Sequence, residues 1–342
     1  MTTLISVPLA ILLLLGGLAG LSAAMARRIE RVEPPEGKFL DLDGERLHLL
    51  DTGVGSPVVL IHGLSGQMGN FTYGLVSRLR DDFRVVAFDR PGSGYSTRAP
   101  GAPAGIRAQA AFLAKAISAM KLGDPVIVGH SLGGAIALAL ALDHPDCPAA
   151  LALISPATHP LPAIPPVFRG LALLAAPLTR RFFAWTLATP LALSARRWGT
   201  RQVFAPEPAP PDFATRGGGL LPLRPSNIEA SAAELAAALL PKDIESMTQR
   251  YGSLRIPVGI LFGRSDRILD WRAQGEAMRR ELPSLDLEIV EGGHMLPVTQ
   301  PEVCAAFIRR MAAKVPVRES VLSAGSRGGL GLAPHADDGA GE

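Results

Sequence analysis

Aromatic side chains supply only 5% of the 342 residues, charged side chains 19%, and there are two cysteines. Cys147 and Cys304 lie far apart, so they make neither a disulfide framework nor a metal site and read as buried free thiols. No sign of charge dominates: 34 Lys and Arg against 31 Asp and Glu leave a formal charge of +3. That excess is too small for a nucleic-acid footprint, and no nucleic-acid partner is expected. What is plentiful is apolar mass and punctuation. Apolar residues make up 48% of the chain, with 36 Gly and 30 Pro, enough for a sizeable core of helices separated by turns.

A long uncharged and nearly all-apolar stretch runs from Leu4 to Met25, LISVPLAILLLLGGLAGLSAAM. About 20 such residues cross a bilayer core. Residues 1–30 therefore read as a membrane anchor, with residues 4–25 in contact with lipid. A signal peptide cleaved near Ala24-Met25-Ala26 is the alternative, giving a secreted or periplasmic protein. The run is long for a signal peptide and no Lys or Arg precedes it here. Arg27, Arg28 and Arg31 follow the run at once, which by the positive-inside bias leaves the remaining chain cytoplasmic. Residues 32–37 (VEPPEG) read as a linker.

Beyond it, two strand-like segments, 38–42 and 45–51, flank the turn Asp43-Gly44. Leu47 and Leu49 alternate with Arg46 and His48, the pattern of a half-buried strand. Short continuous apolar runs follow at 57–61, 83–88, 125–128, 150–154, 257–262 and 285–290, the signature of parallel strands covered on both faces. Helix-length segments at 69–80, 107–121, 132–143, 271–282 and 300–314 separate them. The alternation predicts a mostly parallel α/β sheet flanked by helices. Residues 156–250 break it: they carry no strand signature and read as a helical insertion, loose and proline-rich near 205–225. Residues 316–342 lack apolar periodicity and read as a disordered tail.

The segment Gly129-His130-Ser131-Leu132-Gly133-Gly134 follows one expected strand and opens one expected helix. That context makes its G-x-S-x-G a nucleophile elbow, with Ser131 raised above the C-terminal edge of the sheet. A serine hydroxyl needs a base, and the base needs an acid to orient it. His294, in EGGHMLP, follows the last expected strand and so reaches the same sheet edge. Asp266, in LFGRSD, lies just past the strand before it. The order Ser131, Asp266, His294 is the hydrolase order. Asp270 is the runner-up acid but suits a helix N-cap better. The backbone N–H groups of Leu132 and of Leu64, in His62-Gly63-Leu64, are the candidate oxyanion donors. His62, Gly63, His130 and His159 are the candidate substrate contacts. His144 suits a helix end, His48 a strand, and His335 the tail. No metal ligand set is expected.

These segments together resemble the α/β-hydrolase superfamily, in its single-domain, capped branch. The matching pieces are Val59-Leu60-Ile61-His62-Gly63, Phe88 to Ser96 (FDRPGSGYS), GHSLGG, Leu261–Asp266 and Gly293-His294. The resemblance implies an α/β-hydrolase fold with an eight-stranded sheet, split between residues 38–155 and 251–315. It implies a helical cap over 156–250 and a Ser–His–Asp triad without a cofactor. The FDRPGSGYS loop would be mostly structural. Ser131 stands where epoxide hydrolases and haloalkane dehalogenases place an aspartate, which argues against those chemistries. The expected substrate is a small hydrophobic ester or acyl compound. Carbon–carbon hydrolysis, thioester hydrolysis and cofactor-free perhydrolysis use the same machinery, and a non-catalytic binding protein is the remaining alternative.

Overall fold

The computed structural model describes residues 2–238 and 242–316. The expected tail lies, from residue 317 onward, outside the described residues. Eight strands form one sheet: β1 Lys38–Leu42, β2 Glu45–Thr52, β3 Pro57–Ile61, β4 Arg84–Phe88, β5 Val126–His130, β6 Ala150–Ile154, β7 Val258–Gly263 and β8 Asp286–Val290. Their order is β1-β2-β4-β3-β5-β6-β7-β8. The β1–β2 and β2–β4 pairings are antiparallel and all the others parallel.

The apolar runs are explained by burial on both faces. Val59, Ile61, Val86, Phe88 and Ile127 point to one side, beneath helices Ile106–Ala119 and Leu132–Asp143. Val58, Leu60, Val85, Ala87 and Val128 point to the other, against Leu75, Leu79, Phe307 and Met311. Alternate residues of one strand thus feed two cores, and in β3 every residue is apolar. Each such Val, Leu or Ile contributes about 1.5–3 kcal/mol on burial.

β2 departs from its expected pattern. His48 is buried, not solvent-facing, because β2 lies inside the sheet between β1 and β4. Its Nδ1 lies 2.7 Å from Asp89 Oδ2. Asp89 also accepts the N–H groups of Met68 and Tyr95, at 2.8 and 2.9 Å. One buried carboxylate therefore holds three turns of chain beside the C-terminal edge of the sheet.

Between β6 and β7 the described residues form helices and turns over that edge. The longest helices are Thr189–Phe204 and Pro225–Ala238, and a short helix, Phe213–Arg216, interrupts the stretch expected to be loose. This cap is tied down through charge. Arg90, fully buried at the end of β4, donates to Glu234 Oε2 on the Pro225–Ala238 helix at 2.9 Å.

The uncharged N-terminal stretch is one helix, Thr2–Val32, that continues through its three arginines. A stripe at helical spacing, Leu15, Leu18, Ser22, Met25 and Ile29, is partly or fully covered, whereas residues 7–14 are exposed. The stripe lies against the cap, where Ser22 Oγ donates to the Thr186 carbonyl at 3.0 Å. The expected linker is not free either. Glu33 is buried and accepts the Leu220 N–H at 3.2 Å, its carbonyl accepts the Tyr95 hydroxyl, and Glu30 pairs with Arg224 at 2.7 Å.

A side chain at Gly133 would stand 2.1 Å from the Ile61 carbonyl oxygen, whereas Gly170 has open space around it. Gly133→Ala is expected to lower stability by about 1–3 kcal/mol, as overpacking does. Gly170→Ala should change it by less than about 0.5 kcal/mol. Urea unfolding of both variants checks the pair.

Candidate active site

Ser131 sits between β5 and the Leu132–Asp143 helix with φ 56° and ψ −122°, a left-handed backbone that L residues rarely adopt. The strand and helix meet so closely that Cβ atoms at Gly129 and Gly134 would fall 2.5 Å from the Gly133 carbonyl oxygen and 2.4 Å from Pro156 Cβ. Gly63 faces the serine from the loop after β3: a Cβ there would lie 2.8 Å from Ser131 Cβ. Glycine at these positions is a steric requirement of the turn.

His294 and Asp266 come from the loops after β8 and β7. His294 Nδ1 lies 2.7 Å from Asp266 Oδ2, with both side chains buried. Asp266 Oδ1 accepts the N–H groups of Ile268 and Leu269 at 2.8 and 2.9 Å. Burial pushes the Asp266 carboxyl pKa up, but His294 and the two backbone donors outweigh it and hold the pKa below the usual 3.8. The carboxylate is thus ionised, aimed, and able to fix the proton of His294 on Nδ1, leaving Nε2 free. Asp270 instead caps the helical turn that follows it, accepting the N–H groups of Arg272 and Ala273 at 2.7 and 3.1 Å.

Ser131 and His294 line the same cavity, of about 260 Å³, together with Gly63, Leu64, His130 and Met295. No hydrogen bond joins Ser131 Oγ to His294 among the described residues. A second cavity of about 190 Å³ also reaches Ser131 and is walled by Leu132, His159, Phe168, Leu235 and Leu269. Leu64 and Phe168 belong to both walls. Neither the Leu64 nor the Leu132 N–H has a hydrogen-bond partner among the described residues.

The other candidate residues separate. Gly63 lines the cavity and His159 the second one, with His159 Nδ1 2.8 Å from Thr158 Oγ1. His62 lines neither cavity. It is fully buried, Nε2 accepts the Arg90 N–H at 3.0 Å, and Nδ1 therefore donates to the Gly63 carbonyl at 2.9 Å. Burial and the Arg90 charge keep it neutral, its pKa well below the usual value. His130 borders the cavity, but its Nε2 is 3.0 Å from the His294 carbonyl oxygen and its ring lies 4.9 Å from that of His294. Its ring thus braces the His294 loop.

Two contributors carried no sequence signal for a role at the site. Arg90 donates to the carbonyls of His62 and Gly63, both at 2.9 Å, and so holds the loop that presents the Leu64 N–H. Glu207, from the cap, accepts the Gly293 N–H at 2.8 Å beside His294. A lone Glu in an insertion carries no motif, and Arg90 was legible only as part of a structural loop. Among the described residues no group of three His, Cys, Asp or Glu could hold a metal ion.

An eight-stranded, mostly parallel sheet with a left-handed serine elbow at its C-terminal edge defines a class. The chain belongs to the α/β-hydrolase family, whose model, described as alpha/beta hydrolase fold, matches residues 56–301. One relative is a Caulobacter sp. protein named for carbamate hydrolysis, RutD, 30% identical over 73% of this chain and 88% of its own. The chain matches only 32% of another, the dihydrolipoyllysine-residue acetyltransferase component of the acetoin cleaving system of Cupriavidus necator, 37% identical over 35% of this chain. Among solved structures, a thermophilic esterase from Thermogutta terrifontis is 25% identical with a TM-score of 0.64, covering 82% of this chain and 99% of that one.

Burial lowers the His130 pKa from 6.5 to about 3, with the neighbouring His294 ring adding to the effect. A histidine that is neutral when folded costs nothing above its unfolded pKa. Below that pH the unfolded chain gains a proton that the folded chain refuses, and stability falls until the folded pKa is reached. Between pH 7 and 5 this one group should remove about 2 kcal/mol. His130→Gln, which retains an N–H donor, is expected to show a smaller loss over the same interval in urea unfolding.

Proposed function

We propose that the chain hydrolyses a carboxylic ester of a hydrophobic substrate through an acyl-enzyme on Ser131. The observation that carries this reading is the buried 2.7 Å contact between His294 Nδ1 and Asp266, set in the cavity wall that also holds the strained serine. Ser131 Oγ attacks the acyl carbon and gives its proton to His294 Nε2. The carbonyl oxygen becomes an oxyanion held by the N–H groups of Leu64 and Leu132. Collapse breaks the carbon–oxygen ester bond, and the imidazolium protonates the departing alkoxide. Water then attacks the acyl-enzyme, its proton passing to His294, and the carboxylic acid leaves as Ser131 regains its hydrogen.

The two cavities divide the substrate. The proton donor must reach the leaving oxygen, so the alcohol part occupies the cavity that His294 lines, where Arg196 is the lone permanent cation among the described residues. The acyl part then takes the second cavity, whose wall is apolar apart from Ser131 and His159 among the described residues. Small size and apolar lining favour a hydrophobic acyl group.

The helix Thr2–Val32, whose most apolar 18-residue stretch has a mean hydropathy of 2.2, serves in this reading as a single membrane anchor, with the catalytic domain cytoplasmic. Its covered stripe favours an anchor over a cleaved signal, since the Ala24-Met25-Ala26 segment lies within a helix docked on the cap. Recovery of the full-length protein in the carbonate-resistant membrane fraction supports this assignment, and release into the soluble fraction counts against it.

Ser131→Ala and His294→Ala are each expected to cut kcat on a p-nitrophenyl ester by about 10⁶, and Asp266→Asn by about 10⁴. Asp270→Asn should leave it within a few-fold. A fluorophosphonate probe should label the wild type and not Ser131→Ala. Labelling that persisted in the alanine variant would end the reading. Leu235→Trp, which fills the second cavity, should lower kcat/KM for long acyl chains about tenfold more than for acetyl esters.

A further inference from the structure

We propose that the outer face of the cap helices is a docking surface for an anionic bilayer leaflet, sunk into the interface beside the anchor. The proposal rests on the reading of Thr2–Val32 as a membrane anchor. It goes further by placing the cap, and the cavity mouth with it, at lipid depth.

The apolar run offers eleven residues, Leu4 to Leu14, before the covered stripe begins at Leu15, a rise of about 16 Å at 1.5 Å per residue. The hydrocarbon core is ~30 Å thick. A helix that crosses it while keeping its stripe from Leu15 to Ile29 on the cap must carry the adjoining cap segments down to membrane depth. Those segments are Ala184–Ala188 and the helix Thr189–Phe204.

Those segments, together with the helix Pro177–Phe183 packed on them and the turn before it, show large apolar side chains to the outside. Leu173, Leu178, Phe182, Trp185, Leu191 and Trp198 are exposed, Leu173 and Leu178 at 83% and 89%. In water such a concentration of large apolar side chains is an unfavourable surface, and it marks a contact region. Trp at the edge of an apolar patch suits the headgroup boundary.

Charge then selects the occupant. From Cys147 to Pro206 there is no Asp, Glu or Lys, and there are six arginines. Arg169, Arg181, Arg196, Arg197 and Arg201 are exposed, Arg180 is half-buried, and none of the six forms an ion pair with a carboxylate among the described residues. Elsewhere on the surface arginines such as Arg78, Arg84, Arg107 and Arg309 do. An acid-free band of arginine around apolar side chains complements anionic headgroups above acyl chains. Two copies of this face would set arginine against arginine. The same wall, through Trp198 and Arg196, lines the cavity that holds Ser131 and His294. A lipid-dissolved ester thus reaches the serine from the membrane side.

The three tryptophans make the test direct, because two of them, Trp185 and Trp198, lie on the face and the third, Trp271, packs against the core. Full-length Trp271→Phe protein is reconstituted into phosphatidylcholine vesicles containing phosphatidylglycerol, with bromine on the acyl chains. The expected result is co-flotation with the vesicles, a blue shift, and bromine-dependent loss of emission that weakens when phosphatidylglycerol is omitted. Co-flotation with unquenched emission overturns the docking while sparing the anchor. Failure to co-float overturns the anchor and the docking with it. A blue shift that grows with protein concentration in detergent, without bromine quenching, assigns the face to a second copy instead. In the same background, Arg181→Gln/Arg197→Gln should weaken docking by about thirtyfold. Turnover of a water-soluble p-nitrophenyl ester should stay at the wild-type level, which shows that the fold is intact.

Discussion

The chain reverses from β5 into the Leu132–Asp143 helix through a single residue, Ser131, at φ 56°. Everything at the site follows from how tightly that reversal is made. Strand and helix approach until the backbone of Gly129 faces that of Gly133 and Gly134, and Gly133 in turn packs against the carbonyl of Ile61 in β3. There is no room for a methyl group at any of the three. The strain of a left-handed serine is thus repaid by the two cores on either side of the sheet. It holds a hydroxyl clear of the sheet edge, beside the first free N–H groups of a helix.

Around that fixed point the partners are held by buried polar groups. Asp266 accepts two backbone N–H groups with one oxygen and contacts His294 with the other, so the imidazole has one favoured tautomer. Arg90 has no contact with solvent, and it distributes its donors among the carbonyls of His62 and Gly63, Gln109 and Glu234. A buried guanidinium is costly unless each donor is satisfied. Here satisfaction requires the loop after β3, the Ile106–Ala119 helix and the cap to be in place together. The cap is thereby registered against the loop after β3.

The distribution of charge separates the two sides of the molecule. The sheet and its helices balance their ions in pairs such as Arg107 with Asp143 and Arg84 with Asp51. The cap from Ser155 to Pro206 has arginine and no acid. A net charge of +3 for the whole chain conceals this, because acids elsewhere cancel the local excess. Total charge is a sum, and a surface responds to the local field.

The sequence by itself determined the order and type of the strands, since an apolar run of five residues covered on both faces has few alternatives. It also determined the elbow, because glycines at 129, 133 and 134 around Ser131 follow from local sterics. The helical nature of the insertion was legible for the same reason, and the expected order Ser131, Asp266, His294 rested on where each residue follows an expected strand. Tertiary structure decided what depends on distant stretches meeting. It buried His48 against Asp89 and turned His62 to Arg90 and away from the cavity. It set His130 against the His294 carbonyl and brought Glu207 to Gly293 across 86 positions of chain. It also laid the N-terminal helix on the cap, where an apolar run alone could not say which of its faces would be covered. A side chain's residue type limits the bonds it can make, but only packing supplies the partner.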